Sequence, residues 1–302
     1  MESPSSTSKP TGSSAVRPHF SSPPASQTSS RLTGRNRLLF FLTAWLIVLM
    51  PFLFWWSTWF GRPLSDKQID EYVSDERHPR HMQHALVQLG ERMSRQDPGA
   101  KRWYPQIVQL ATYRVEEVRN TDAWVMGQDT SNATFHDTLL KMLNDPAITV
   151  RGNAALSLVR FGDPSGRLHI AALLQPARVT APSAGRILDI DKTGTSVHQA
   201  GLIAKLLDGQ RTVEVRSPIG GRVHQVSLSP GMNVSEGAEL AVVSPTEDQV
   251  WEALRAMYFV GQAEDLAAIR TYQRELPDIS DRVRQQAVLT EKAILDRTKR
   301  EP

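Results

Sequence analysis

Three histidines, His78, His81 and His84, recur at three-residue spacing. On a helix that spacing places side chains in one quadrant, and imidazoles so placed are the raw material of a transition-metal site. Pro79, however, reads as the first residue of that helix and leaves His78 outside it. No carboxylate at helical spacing completes a ligand set, so no metal site is expected. His198 and His224 stand at non-equivalent places in a strand-rich stretch and read as surface side chains. The chain has no cysteine, which removes thiolate metal sites and thiol nucleophiles. It carries neither a glycine-rich phosphate loop nor a serine nucleophile elbow. No catalytic residue and no cofactor is therefore expected, and the chain is not read as an enzyme.

The elements that would position any function are clearest at Val179–Val243, which says nearly the same thing twice. One copy begins VTAPSAGRILDI at Val179 and the other VRSPIGGRVHQV at Val215. Pro182 matches Pro218, Gly185 matches Gly221, and Arg186 matches Arg222. Ile187 and Ile190 match Val223 and Val226. After a one-residue gap Gly194 matches Gly231, Val197 matches Val234, and Ile203 matches Leu240. Each copy reads as two short strands with a glycine-bearing turn. Such hairpins are not stable alone, so two interlocking halves with one shared core are expected. Gly185, Gly194, Gly221 and Gly231 are the expected structural turns. Arg186 and Arg222, at matching places, are read as solvated strand residues or as a small basic face for a partner.

This pattern resembles the biotinyl/lipoyl domain, a flattened barrel-sandwich hybrid, over about seventy residues. In carrier members of that family the turn between the halves presents a lysine that is acylated by biotin or lipoate. Here the turn reads Leu207-Asp208-Gly209-Gln210-Arg211-Thr212, and Gln210 stands at the carrier-lysine position. A carboxamide cannot replace an amine as the nucleophile. Lys205 falls earlier, in expected strand. A lysine-free module without a covalent cofactor follows.

Leu38–Phe60 is uncharged and almost wholly apolar. About 20 such residues cross a hydrocarbon core as a helix. Trp55, Trp56 and Trp59 cluster at its far end, as an aromatic belt does. Arg31, Arg35 and Arg37 precede the span. The positive-inside rule then puts the N-terminus in the cytoplasm and the rest outside. The formal charge of +3 comes from 35 basic and 32 acidic residues. The tail before the span holds five of the former and one of the latter, so the remainder is near neutral and no nucleic-acid partner is expected. The tail itself is rich in Ser, Pro and Thr and cannot build a core. Absence of cysteine suits a periplasmic domain without disulfides.

Helical periodicity fills the rest. HDTLLKMLNDPAITVRGNAALSLVRFGDP, from His136, gives one helix through Leu139, Leu140 and Leu143. A break follows at Asn144-Asp145-Pro146, and a second helix runs through Val150, Ala154, Ala155, Leu158 and Val159. It is similar to a HEAT repeat, with Asp145 and Arg151 in turn-supporting places. An earlier copy starts at Val115 and a weaker one at His78. Past the strands, Val250, Leu254, Met257 and Tyr258 form one stripe. Leu266, Ile269 and Tyr272 continue it, and Val283, Ala287, Val288 and Ile294 mark a last helix.

The expected architecture is α+β. It comprises a disordered cytoplasmic tail at 1–36, a transmembrane helix at 37–61, HEAT-like repeats at 64–176, a lipoyl-like domain at 177–245 and HEAT-like helices at 246–298. A lysine-free lipoyl domain behind an N-terminal anchor resembles the periplasmic adaptor, or membrane-fusion (HlyD-like), proteins of export systems. That resemblance implies a single-pass bacterial inner-membrane protein with its C-terminal domains in the periplasm. It also implies protein partners such as an inner-membrane transporter or envelope complex, and side-by-side homo-oligomers. Two features depart from the family. The halves are joined by a short turn instead of a long helical hairpin, and no separate β-barrel group of strands is seen. A general HEAT-type envelope scaffold and a carrier-domain enzyme subunit are the alternatives.

Overall fold

The computed structural model describes residues 41–47, 49–50, 63–275 and 279–300. It divides into two compact units, Met1–Arg62 and Pro63–Pro302. In the first, residues 41–47 and 49–50 are helical, and Phe41, Leu42, Trp45, Leu46, Ile47 and Met50 are all exposed. The tail at 1–36 and most of the span expected at Leu38–Phe60 lie outside the described residues. Among the described residues no helix is long and apolar enough to cross a membrane.

The second unit is α+β: helices, then two four-stranded antiparallel sheets, then helices again. Its α-helices are α1 (Asp66–Val73), α2 (Pro79–Ser94), α3 (Tyr104–Leu110), α4 (Glu116–Met126), α5 (Ala133–Met142), α6 (Ile148–Arg160) and α7 (Arg167–Leu173). After the strands come α8 (Glu247–Val260), α9 (Leu266–Thr271) and α10 (Asp281–Thr298). Local chemistry sets several ends. Ser65 and Gln68 form a reciprocal capping box on α1. Asn132 accepts from two backbone N–H groups at the start of α5, and Thr246 caps α8 through Gln249 N. Positive φ at Gln96 and Gly162 follows the ends of α2 and α6.

The helices form two rows. Even-numbered helices α2, α4, α6, α8 and α10 pack each against the next, and each odd-numbered helix packs on an even neighbour. One apolar core runs from Leu64 to Leu158. A second joins Ala155, Ile170, Leu173 and Leu174 to residues of α8, α9 and α10, with Leu143 packed on both. The array is thus continuous across the strand insertion. Two stripe residues depart from expectation: Tyr258 is 40% exposed and Val288 53% exposed. Each lies one position beyond a residue with no exposure, Met257 and Ala287 respectively.

The strands are β1 (Ala177–Thr180), β2 (Gly185–Ile190), β3 (Ser196–Val197), β4 (Leu202–Asp208), β5 (Arg211–Arg216), β6 (Gly221–Val226), β7 (Asn233–Val234) and β8 (Glu239–Pro245). One sheet has the order β1-β8-β6-β3 and the other β5-β4-β2-β7. Exchanging the two sequence copies converts one order into the other, so each sheet borrows strands from both halves. The hydrogen bonds exchange too. Gly231 N donates to Ile187 O and Gly194 N to Val223 O, both at 2.7 Å. Ile187 N donates to Met232 O and Val223 N to Thr195 O, both at 2.8 Å. Matching bulges follow Ile187 and Val223. The shared core pairs Val179 with Val215, Ile187 with Val223, and Ile203 with Leu240.

The four expected glycines serve two purposes. Gly194 and Gly231 both have φ near +93°, a region side chains resist. Gly185 and Gly221 are sites of close approach. A Cβ on Gly185 would lie 2.7 Å from Leu207 O, and one on Gly221 would fall inside contact distance of Ser244 O. A further pair breaks the rule: Gly237 has φ +78°, and its counterpart in the other half is Ala200, at φ +58°.

Opposite outcomes are expected at these sites. Gly221→Val should destabilise by at least about 1–3 kcal/mol through overpacking. Ala200→Gly should stabilise by about 0.5–1 kcal/mol, as relief of left-handed strain outweighs added chain entropy. Thermal unfolding of the purified chain measures both. A Gly221→Val variant that melts like wild type would refute the close-approach reading.

Candidate functional site

β4 and β5 meet in a two-residue turn, Gly209–Gln210, with Asp208 opposite Arg211 and φ +59° at Gly209. A glycine leading a two-residue turn suits a tight hairpin. Gln210 therefore stands exposed at the tip. Lys205 lies within β4, between Glu214 on β5 and Asp189 on β2, and is not presented at the turn. Arg186 and Arg222 are both exposed, but they belong to different sheets. Their neighbours Ile187 and Val223 point into the shared core, so each arginine faces outward from its own sheet. The structure does not bring them together into one basic face.

The β module is braced on the helices. Gln199 Nε2 donates to Glu116 Oε1 at 2.6 Å and to Thr149 Oγ1 at 2.9 Å. Thr149 Oγ1 in turn donates to Glu116 Oε1 at 2.8 Å. Glu116 opens α4 and Thr149 lies in the first turn of α6, so one side chain from the strands ties down two helix starts. Ile148 packs against the strand core. A cleft of about 520 Å³ borders this junction, with Ile148, Gln175, Arg178 and Pro218 in its wall.

The face of the even-numbered row carries a groove of about 640 Å³ between α4, α6 and α8. Trp124, Leu156, Arg160, Arg255 and Phe259 line it, and Phe259 is 66% exposed. Exposed aromatic and arginine side chains are the residue types that dominate protein-binding hot spots.

Polar links tie successive helices. Arg119 makes a bidentate pair with Asp145, at 2.6 and 2.9 Å, and also donates to Tyr113 O. Arg151 donates to the carbonyls of Asp145 and Pro146. Burial pushes the Asp145 carboxyl up, but the Arg119 hydrogen bond and a backbone N–H hold it below the usual range. Asp145 and Arg151 therefore shape the turn between α5 and α6. A second ladder was not anticipated. Tyr104 donates to Asp129 at 2.6 Å, His136 pairs with Asp163 at 2.7 Å, and Arg167 donates to Asp265 at 2.8 Å. Each links an odd-numbered helix or its start to the turn before the next odd-numbered helix. The regular spacing of Tyr104, His136 and Arg167 was visible in sequence; their carboxylate partners were not.

His78 is the N-cap of α2, which begins at Pro79. The carboxylate absent from helical spacing is supplied by the preceding loop: Asp75 contacts both His78 and His81. His84 does not join that group. His198 and His224 are exposed on the β module.

No family model matches the chain, and no curated protein does. Among solved structures, the chain is similar to a single-chain, multi-domain long-chain acyl-CoA carboxylase, at 19% identity and a TM-score of 0.23. The match covers 43% of this chain and 14% of that one. The two small antiparallel sheets are consistent with a biotinyl, barrel-sandwich-like region.

One buried group stands apart. Asp122 on α4 has no exposure, and neither carboxylate oxygen has a hydrogen-bond partner. Counting from the buried valine of each helix, Ala154, Leu254 and Ala287 occupy its position in α6, α8 and α10. Burial pushes the Asp122 carboxyl well above the usual carboxylate range. Because its folded pKa is raised, its contribution is fully present below the unfolded pKa and is lost as pH rises through the folded value. Wild-type stability should therefore gain, relative to Asp122→Ala, as pH falls from neutrality toward about 5, where ordinary carboxylates remain charged. At neutral pH Asp122→Ala should be the more stable protein by about 1–3 kcal/mol, the cost of an unsatisfied buried polar group. Melting temperatures of both proteins across this range test it; parallel curves would refute the assignment.

Proposed function

We propose that the protein is a membrane-anchored periplasmic adaptor or scaffold, a non-enzymatic member of an export or efflux assembly. In this reading the helical array is HEAT-like, and the inserted strands form a biotinyl/lipoyl-like module that has lost its carrier chemistry. The observation that carries it is Gln210 at the tip of the β4–β5 turn, in a module braced on α4 and α6 by Gln199. An acyl carrier needs an amine at that tip and profits from a swinging module; a rigid docking element needs neither. Anchoring is supported by the uncharged run Leu38–Phe60 and by the exposed apolar side chains of helical residues 41–47. A helix apolar on all sides belongs in a protein core or a bilayer. The N-terminus is assigned to the cytoplasm by the flanking arginines. Tethering raises the effective concentration of the array near a membrane partner, such as an inner-membrane transporter.

A second reading is favoured by the groove of Trp124 and Phe259. There the helices bind partners of another envelope complex, and the strands serve as a spacer.

Excision of the β module separates the two. Gln249 Nε2 donates to Leu173 O at 3.0 Å, and Tyr272 Oη donates to Leu174 O at 2.7 Å. Gln175 and Thr246 can therefore be joined by a short Gly/Ser linker while α7 and α8 stay packed. The excised protein should keep its helical circular dichroism and its membrane fractionation. It should lose co-purification of the transporter or outer-membrane channel from detergent extracts. Trp124→Ala combined with Phe259→Ala should retain it. Retention of every partner after excision, with loss in the groove variant, would replace the adaptor by the scaffold. Exchanging Leu38–Phe60 for an unrelated membrane span should leave recovery unchanged.

A further inference from the structure

Asp75, His78 and His81 converge where the loop after α1 enters α2. His78 Nδ1 lies 2.9 Å and His81 Nδ1 2.7 Å from the same oxygen, Asp75 Oδ2. One donor atom from each of the three lies within 4.8 Å of the others. We propose that these three side chains form a binding site for a divalent transition-metal ion of the zinc type.

The geometry has a local cause. Asp75, His78 and His81 follow one another at three-residue steps. The chain between them is closed by turn-like bonds from Asp75 N to Tyr72 O, His78 N to Asp75 O, and His81 N to His78 O. Three successive turns stack the side chains on one side. The second carboxylate oxygen, Asp75 Oδ1, accepts from Arg77 N at 3.2 Å, which aims Oδ2 at the imidazoles. His81 is held by stacking on Tyr72, with ring centroids 4.5 Å apart and planes 19° from parallel. Backbone support for a carboxylate and a packed imidazole are the outer-shell features that fix ligands at metal sites.

The ligand set fits one class of ion. Zinc binds histidine nitrogen and carboxylate oxygen at about 2.0–2.2 Å, so tetrahedral ligand atoms sit about 3.3 Å apart. The two nitrogen–oxygen separations need to open by only about 0.4–0.6 Å to reach this. The opening is easy because the His78 side chain is 62% exposed. The donor set of two imidazoles and one carboxylate leaves the fourth position to water. Calcium and magnesium prefer all-oxygen sets, whereas imidazole suits zinc, cobalt and nickel. Zinc would take the place of the two imidazole–carboxylate contacts, with each ring binding through Nδ1 as its neutral Nε2–H tautomer. The ion would clamp the α1–α2 loop to the first turn of α2.

The full-length chain, purified in detergent and stripped with chelator, is titrated with Zn2+ by calorimetry and with Co2+ by visible absorption. One equivalent should bind at micromolar or tighter affinity, and Co2+ should give intense ligand-field bands of a four-coordinate site. His78→Ala and His81→Ala should each weaken Zn2+ by at least about 100-fold and abolish the bands, because losing a ligand costs at least as much as losing outer-shell support. Asp75→Asn keeps an oxygen in place without its charge and should weaken binding in the same direction. His224→Ala, on the β module, should change nothing. His78 is exposed, so its variant should keep the wild-type circular dichroism. Wild-type affinity no tighter than millimolar, or undiminished binding in the well-folded His78→Ala variant, would overturn the site. This outcome is independent of the excision experiment above.

Discussion

The return of α8 onto α7 is the contact on which the rest of this structure depends. Between those helices the chain leaves the array, builds two sheets, and comes back. Without the return, Ile170, Leu173 and Leu174 would face water on one side, and α9 and α10 would have nothing to extend. With it, these residues join Val250, Leu254, Met257 and Ile269 in one core. The ends of the excursion are fixed by polar bonds to the last carbonyls of α7 and its C-cap, from Gln249 Nε2 and Tyr272 Oη. Burial pushes the Tyr272 hydroxyl up to about 12, which keeps it a donor. A single helix pair cannot bury its own apolar face, so the strands are inserted where the flanking helices still meet in one core.

The inserted module follows the same logic at smaller scale. Neither copy of the duplicated hairpin satisfies its own backbone. Gly194 N finds Val223 O in the other half, and Gly231 N finds Ile187 O. The close approaches at Gly185 and Gly221 lie within each half, where β2 meets β4 and β6 meets β8. Gln199 then ties the module to the first turns of α4 and α6.

Polar groups inside the array play unequal parts. Arg119 and Asp145 are a buried pair with every strong partner supplied, so removing one member strands the other. Asp122 is buried with none. The first organises a turn, and the second is a cost carried by α4. Asp75 is different again: it is half-shielded at the surface and engages two imidazoles through one oxygen.

By itself the sequence determined what depends on near neighbours. Helices at Ile148–Arg160 and Glu247–Val260 were legible because valine, alanine and leucine recur at helical spacing, and Pro146 punctuates the first. The duplication was legible because Pro182, Gly185 and Arg186 repeat as Pro218, Gly221 and Arg222. The Gln210 turn was legible because glycine precedes it between two strand-like runs. The remaining features rest on contacts far apart in sequence, for which spacing carries no signal. Exchange of β3 and β7 between the halves is one such contact. Closure of α7 on α8 across the strands is another, as are the carboxylate partners of Tyr104, His136 and Arg167. Asp75 escapes helical spacing for a related reason: a loop carboxylate reaches His78 and His81 through turns that periodicity does not encode. Tyr258 and Val288 fell outside the core because a stripe's edge is set by the neighbouring helix, and its width cannot be read from one helix alone.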